Sequence, residues 1–364
     1  MTKFNHSTKT KREERTKMKH GKLMVAALAG AAFTWGALAT TSAYAEMVKG
    51  PKVTWKFNVW GKKRAFTAGV DEMARLVSEK TGGNFKIKIF YGDQLGGKKQ
   101  NLDNLKAGVF DAAKVCWAYH PGKVQSMMVL NLPFLPVANA EMQMKVSEAV
   151  YKHPIPQKEL ADKWGVFVLM SSLLPQYEFM GRGPVPKTLA GWKGLTVRSL
   201  GGLADAMRKV GSSISTMTAT EVYQALDRGA VDAISFPFSY AHAAYKIDEV
   251  SEWYTANLAP GTNDCPDVVS IASWNKLPKQ YQELMNDSKA QAYKVLAATY
   301  KAKDAKNLPK FRKKMKEIKY TAAELKNFRA VAGQPVYDDW IAKNQGKFDA
   351  KGLLDFVLKT AATN

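Results

Sequence analysis

Apolar and polar positions repeat with two different periods along this chain, and the switches between them predict an ordered series of strands and helices. Val53 to Trp60 reads as a strand, and residues 64 to 80 put Phe66, Val70, Met73 and Val77 on one helical stripe that Thr81-Gly82-Gly83 stops. Phe85 to Phe90 alternates strictly, with Phe85, Ile87 and Ile89 on one side and Lys86 and Lys88 on the other, the pattern of a half-buried strand. A helix through Leu102 and Leu105 to Gly108 and a strand from Phe110 to Trp117 follow. After a helical stretch from about Ala140 to Trp164 the alternation resumes, with strands at Val166 to Ser171, Tyr177 to Met180, Leu195 to Arg198, Ser213 to Thr216 and Val231 to Ser235, and a helix from Gly201 to Val210. Thr218-Ala219-Thr220-Glu221 has the spacing of a capping box opening a helix that Gly229 ends. Beyond an apolar strand at Val268 to Ser273 the chain turns almost wholly helical, from Lys279 through Lys316 and from Ala322 to Lys343, and Pro309 is expected to break or kink the first of these. Strands alternating with helices predict an α/β fold on mostly parallel sheets covered by helices.

The amino-terminal segment does not fit that alternation. A cluster of Lys and Arg within the first 22 residues precedes an uncharged, Ala- and Gly-rich stretch from Leu23 to Ala45 that closes with Ala43-Tyr44-Ala45. This is the three-part layout of a secretory signal peptide, and it predicts cleavage after Ala45 and a periplasmic location. The alternative is a retained membrane anchor, against which stand the weak hydrophobicity and the lack of a charged stop-transfer flank. Cleavage leaves 319 of the 364 residues, enough for about two domains with their own cores, and no second apolar run of membrane-spanning length.

Removing the eight Lys/Arg and two Glu of that segment from the chain's 54 and 32 leaves 46 basic and 30 acidic residues, a net charge of +16 that favours anionic partners. The basic residues are spread and no nucleic-acid motif accompanies them, so nucleic acid is not expected as a partner. The run from Lys301 to Lys319 holds nine basic and two acidic residues; it reads as a solvated helix face, the alternative being a docking surface for anionic lipid or an acidic partner. Cys116 and Cys265 are the two cysteines, and spacing leaves open whether they pair or stay as buried thiols.

Signatures of covalent chemistry are missing. There is no GxxxxGK phosphate loop completed by Ser or Thr, since Gly92 to Lys98 is followed by Lys99, and there is no GxSxG elbow. The mature chain has His120, His153 and His242, none at a convincing metal spacing; Cys116 and His120 are four apart, but two ligands do not close a tetrahedral site. Asp103, Asp111 and Asp232 fall at helix ends or strand starts, where capping explains them. No catalytic residue, metal or cofactor is expected.

One polar residue is placed differently. Arg198 ends a short predicted strand between two glycine-containing turns, in Lys193-Gly194-Leu195-Thr196-Val197-Arg198-Ser199-Leu200-Gly201-Gly202. A guanidinium offers a planar fork of donors that matches a carboxylate, which lysine does not reproduce. A salt bridge at a strand end is the alternative.

Leu189 to Arg198 (LAGWKGLTVR), Met217 to Asp232 (MTATEVYQALDRGAVD), Lys80 to Gly97 (KTGGNFKIKIFYGDQLGG) and Leu132 to Leu135 (LPFL) together resemble the solute-binding receptors of tripartite ATP-independent periplasmic (TRAP) transporters, in the family's order and over essentially the whole mature chain. The resemblance implies a two-domain periplasmic binding protein fold with a ligand cleft between domains and long C-terminal helices spanning both. On that reading residues 46–175 with 266–305 form α/β domain I and 176–265 with 306–364 form α/β domain II. It also implies closure on a small organic carboxylate, uptake driven by an ion gradient, and docking on small and large integral membrane subunits; the receptor itself is expected to be a monomer. By the same likeness Arg198 is the residue that pairs with the ligand's carboxylate.

Other pocket positions depart from the family. Phe236 precedes Pro237 where many members carry Asn, a second polar position falls near Gln176 and Tyr177, and the position after the first strand falls at about Trp60. These departures count against a polyhydroxylated sugar acid. Trp60, Trp117, Tyr119, Tyr177, Phe236 and Tyr240 cluster where the resemblance puts the cleft, suiting an aromatic or apolar monocarboxylate, although each also reads as core. Arg64 opens the helix after Trp60 and is a candidate second cation. A sensory receptor and a periplasmic enzyme on the same fold are the rival readings.

Overall fold

The computed structural model of the chain describes residues 47–137 and 139–363, so the predicted signal peptide and its cleavage point lie outside the described residues. Among the described residues eleven strands form: β1 Val53–Val59, β2 Phe85–Tyr91, β3 Ala112–Lys114, β4 Val166–Met170, β5 Tyr177–Gly181, β6 Thr196–Arg198, β7 Ser213–Ser215, β8 Ala233–Pro237, β9 Trp253–Thr255, β10 Asp267–Ser270 and β11 Lys316–Ile318. They make two sheets, one ordered β2-β1-β3-β10-β4 and the other β11-β9-β5-β8-β6-β7.

The chain builds the first sheet as far as β4, crosses to build β5 to β9, returns to insert β10 between β3 and β4, and crosses again to add β11. These returns explain why the sheets are less parallel than the helix–strand alternation predicts. β10 runs antiparallel to both neighbours, and β5 runs antiparallel to β8 and β9. The crossovers at β4–β5 and β9–β10 fall between Met170 and Tyr177 and between Thr255 and Asp267. The last helix, Ala350–Ala362, packs on Ala140–Lys152 and on Ser126–Asn131, beside the first sheet, where the sequence reading grouped 306–364 with the second.

A 36-residue helix, Lys279–Lys314, carries the final crossover and packs on helix Ala68–Lys80 beside the first sheet and on Tyr240–Ala244 beside the second. Its buried face runs Tyr281, Leu284, Met285, Ser288, Ala292, Leu296, Tyr300, Asn307 and Phe311, the spacing of one helical stripe. Phe85 of β2 is held between Tyr281, stacked at 5.2 Å, and Trp55, edge-on at 5.6 Å. Burying an aromatic of this size contributes about 1.5–3 kcal/mol. Pro309 does not break the helix: it sits exposed in a continuous segment, where water can satisfy the carbonyl it leaves unbonded.

Other expectations shift at element ends. The strand read at 110–117 is regular only over Ala112–Lys114, and the one read at 268–273 ends at Ser270, where the Ser270 hydroxyl caps the short helix Ile271–Asn275. The helix expected over 322–343 is split at Gly333, where a Cβ would stand 2.5 Å from the Arg329 carbonyl. Half of the predicted capping box forms, Glu221 accepting from the Thr218 amide and hydroxyl, both at 2.7 Å, and the helix begins at Val222.

Among the described residues no helix is long and apolar enough to cross a membrane.

Candidate ligand-binding site

Arg198 is the last residue of β6, which lies between β7 and β8. The turn after it is fixed by two glycines with different needs. Gly201 has φ +54°, and a Cβ on Gly202 would meet the Asn131 carbonyl at 2.5 Å, so helix Gly201–Lys209 presses its first turn against the chain at 131–132. Arg198 is 1% exposed, with Nε donating to the Met217 carbonyl and Nη1 to the Ser235 carbonyl, each at 3.0 Å. Nη2 is buried with no hydrogen-bond partner, and no carboxylate pairs with the group among the described residues. The guanidinium carbon lies 5.0 Å from the Phe236 ring centre, within cation–π range.

The facing wall comes from the end of β1. Gly61, at φ +66°, turns the chain so that Arg64 Nη1 donates to the carbonyls of Trp60 and Lys62, both at 2.8 Å. Arg64 Nε is buried without a partner, and its guanidinium carbon lies 4.7 Å from the Phe66 ring centre. Tyr119, in the turn after β3, meets Trp60 edge-on at 5.8 Å and accepts a 3.1 Å hydrogen bond from the Ala219 amide on the other side of the cleft. Cys116 and Cys265 form a disulfide that lines the same space, which resolves the pairing left open by sequence.

Trp60, Arg64, Tyr119, Tyr177, Arg198, Phe236 and Tyr240 thus converge on one cavity of about 30 Å³. Of the residues singled out from sequence, Trp117 is the one the structure does not bring there. Its indole donates to Asp264 at 2.8 Å in a separate apolar cluster, and Tyr151 donates to the same carboxylate at 2.7 Å. The sequence reading missed Phe66 and Tyr245, which line the cavity as well. Tyr245 stacks on Phe236 at 5.2 Å, a placement set by a short helix that periodicity does not reveal. A wider groove of about 760 Å³ adjoins the cavity, sharing Tyr119 and Leu200 with it, and Lys99, Arg208, Lys209 and Lys343 stand along it.

Among the described residues no Asp or Glu lines the inner cavity. Burial pulls His120 down to about 4 and His242 to about 3, so both are neutral at physiological pH. Among the described residues no group of three or more His, Cys, Asp or Glu is arranged to hold a metal ion. Arg198, Arg64 and the rings around them offer cationic donors for an anion within aromatic walls.

Residues 58–344 match the model of bacterial extracellular solute-binding protein family 7. The chain belongs to this family, the solute-binding receptors of TRAP transporters. A Nostoc receptor named a monocarboxylate 2-oxoacid-binding periplasmic protein is 27% identical over 257 residues, 69% of each chain. A TRAP solute-binding protein from Rhodoferax ferrireducens, solved with copurified benzoate, superposes with a TM-score of 0.74 at 22% identity, over 85% of this chain and 98% of that one. One from Desulfovibrio salexigens with bound orotic acid gives 0.75 at 19% identity, over 85% and 98%. The receptor thus shares the two-domain fold of TRAP periplasmic binding proteins, with its cavity where the two sheets' connections meet.

Proposed function

We propose that this TRAP receptor captures a small organic carboxylate, by preference one with an aromatic or apolar body, and that Arg198 is the clamp for its carboxylate. The observation that carries the reading is the Arg198 guanidinium, wholly buried with Nη2 free and no counter-ion among the described residues. Burying an unpaired charge is costly, so a site that keeps one is built for an anion that arrives from outside. Low effective dielectric strengthens the pair once formed, and a ligand without the anion leaves the desolvation cost unanswered.

The aromatic walls supply flat apolar surface for the rest of the ligand. The similar receptors solved with benzoate and orotic acid, and the Nostoc protein named for 2-oxoacid binding, support the same ligand class. A cavity of about 30 Å³ has room for about two waters, so an aromatic acid requires the walls to part and close again around it, driven by its better contacts in the closed state. The lobes are residues 46–175 with 266–305 and 176–265 with much of 306–364. The receptor acts without covalent chemistry, works as a monomer in the periplasm after cleavage at Ala45, and delivers its ligand to the small and large membrane subunits. Thermal-shift screening of the exported form against organic acids, followed by calorimetry, tests this: aromatic monocarboxylates should raise the melting temperature by mass action. Turnover of a hit would favour an enzyme instead, and hits confined to uncharged solutes would overturn the carboxylate reading.

A further inference from the structure

Arg198 is not the end of the polar chemistry in the cavity. The Tyr245 hydroxyl is buried without a hydrogen-bond partner, as is Arg64 Nε. The two residues meet at Gly61: a Cβ placed there would lie 3.1 Å from both Arg64 Nη1 and the Tyr245 hydroxyl. From Arg198 the path to them is a stack of side chains. The Arg198 guanidinium lies 5.0 Å from the Phe236 ring centre, Phe236 stacks on Tyr245 at 5.2 Å and 24°, and the Arg64 guanidinium lies 5.5 Å from the Tyr245 ring centre. Two cations thus stand at opposite ends of a pair of stacked rings.

We infer that Arg64 and Tyr245 form a second polar pole of the binding site, which reads an oxygen acceptor on the ligand at the end opposite its carboxylate. The ligand class is then an acid with a hydroxyl, oxo or second carboxylate group. This rests on the reading of Arg198 as the carboxylate clamp and narrows it.

The physical case is one of donors without acceptors. With no acidic residue lining the cavity, a ligand with a single carboxylate and an apolar remainder would leave Arg64 Nε and the Tyr245 hydroxyl sealed in without partners. A buried donor left unpaired costs its full desolvation, whereas an acceptor at that point recovers it, and sites built this way discriminate strongly against the analogue that lacks the group. Burial holds the Tyr245 phenol above its ordinary range, so it stays protonated and available as a donor. Gly61 fits the same picture, since any side chain there would crowd both polar groups.

Two matched sets of acids test the inference by calorimetry on the exported protein: benzoate, 3-hydroxybenzoate and isophthalate, and hexanoate, 2-oxohexanoate and adipate. In at least one set the acids with a second oxygen function should bind wild type roughly tenfold or more tightly than the plain acid. Tyr245→Phe, which keeps the stacked ring, and Arg64→Met should each shrink that preference to a few-fold, read as the ratio of Kd values within a set. Equal or tighter binding of the plain acids in both sets, or a preference that survives in both variants, would overturn this inference and leave the Arg198 reading standing. If neither set nor a wider organic-acid library binds, both fall together.

Discussion

Among the described residues two basic side chains, Lys114 on β3 of the first sheet and Arg198 on β6 of the second, are wholly withdrawn from water. Lys114 has its answer within the chain: its ammonium lies 2.8 Å from Asp267 on the adjacent strand β10 and donates to Ser172 Oγ at 2.8 Å. Arg198 has backbone carbonyls on two nitrogens and nothing on the third. A third buried charge sharpens the contrast. Glu178, one residue from Tyr177 on β5, accepts only from neutral donors, the Thr255 hydroxyl and the Leu258 and Ala259 amides, and burial pushes it up to about 7. A carboxylate without a cation can take up a proton; a guanidinium without an anion has no such exit, because it does not deprotonate in proteins. Burial of charge alone therefore does not mark a binding site; in the function proposed above, what marks it is that Arg198 is left internally unanswered.

If Lys114 is architectural, Lys114→Met should cost about 3–5 kcal/mol of stability, because Asp267 is left buried and alone. Urea unfolding would measure it, and Lys114→Met combined with Asp267→Leu should recover most of the loss. Ligand affinity of the folded fraction should hardly change, since Lys114 does not line the cavity; loss of binding at unchanged stability would break the comparison. Arg198 should behave the other way round. Arg198→Ala is expected to weaken the carboxylate found by screening by about 2–5 kcal/mol, roughly 30-fold to several thousandfold in Kd, with Arg198→Lys an incomplete rescue that lacks the fork. Undiminished binding in calorimetry would remove the clamp.

Glu178 supplies a pH signature. Its folded value of about 7 stands above the ordinary 4.5, so between those limits the folded protein keeps a proton that the unfolded chain has released. Stability should therefore fall as pH rises through that window and level off above it, by on the order of 3 kcal/mol from this group. Asp264, raised by burial to about 6 while accepting from Trp117 and Tyr151, adds a slope of the same sign. Glu178→Gln should flatten the dependence seen in unfolding titrations at pH 5 and pH 8; an unchanged slope would mean that the group is ionised throughout.

Much of this was readable before any coordinates. Strand alternation at Phe85 to Phe90 and the stripe Phe66, Val70, Met73 and Val77 carry their periods openly because each element buries one face. Arg198 stood out by type and position as a cation closing a strand between turns, a placement that a strand-end salt bridge explained equally well, and its clamp role came from the family resemblance. Sequence could not show that its counter-ion is missing, since that depends on Met217 and Ser235, brought in by other segments. Trp117 and Tyr119 are two residues apart and chemically alike, yet Asp264, distant in sequence, draws the first indole into a separate core while the second ring faces the cleft. The three-residue strands β9 and β11 are too short to show a period, and they exist because each finds a partner across the sheet. Tyr245 was hidden for the same reason, sitting just past the five-residue helix Tyr240–Ala244.

The smallest expected effect concerns Tyr119, which belongs to neither side of the comparison and connects the two. It follows β3, the Lys114 strand, yet its hydroxyl takes the Ala219 amide from the segment that supplies the Met217 carbonyl to Arg198. It also stands, with Leu200, between the inner cavity and the wider groove outside. Tyr119→Phe removes one partly buried hydrogen bond and keeps the ring, so about 0.5–1.5 kcal/mol is at stake, roughly a 2- to 12-fold change. If the bond latches the closed form, the change should fall on ligand dissociation in stopped-flow displacement, with association and unfolding free energy little altered. An equal loss of global stability with dissociation unchanged would place Tyr119 with Lys114 as architecture.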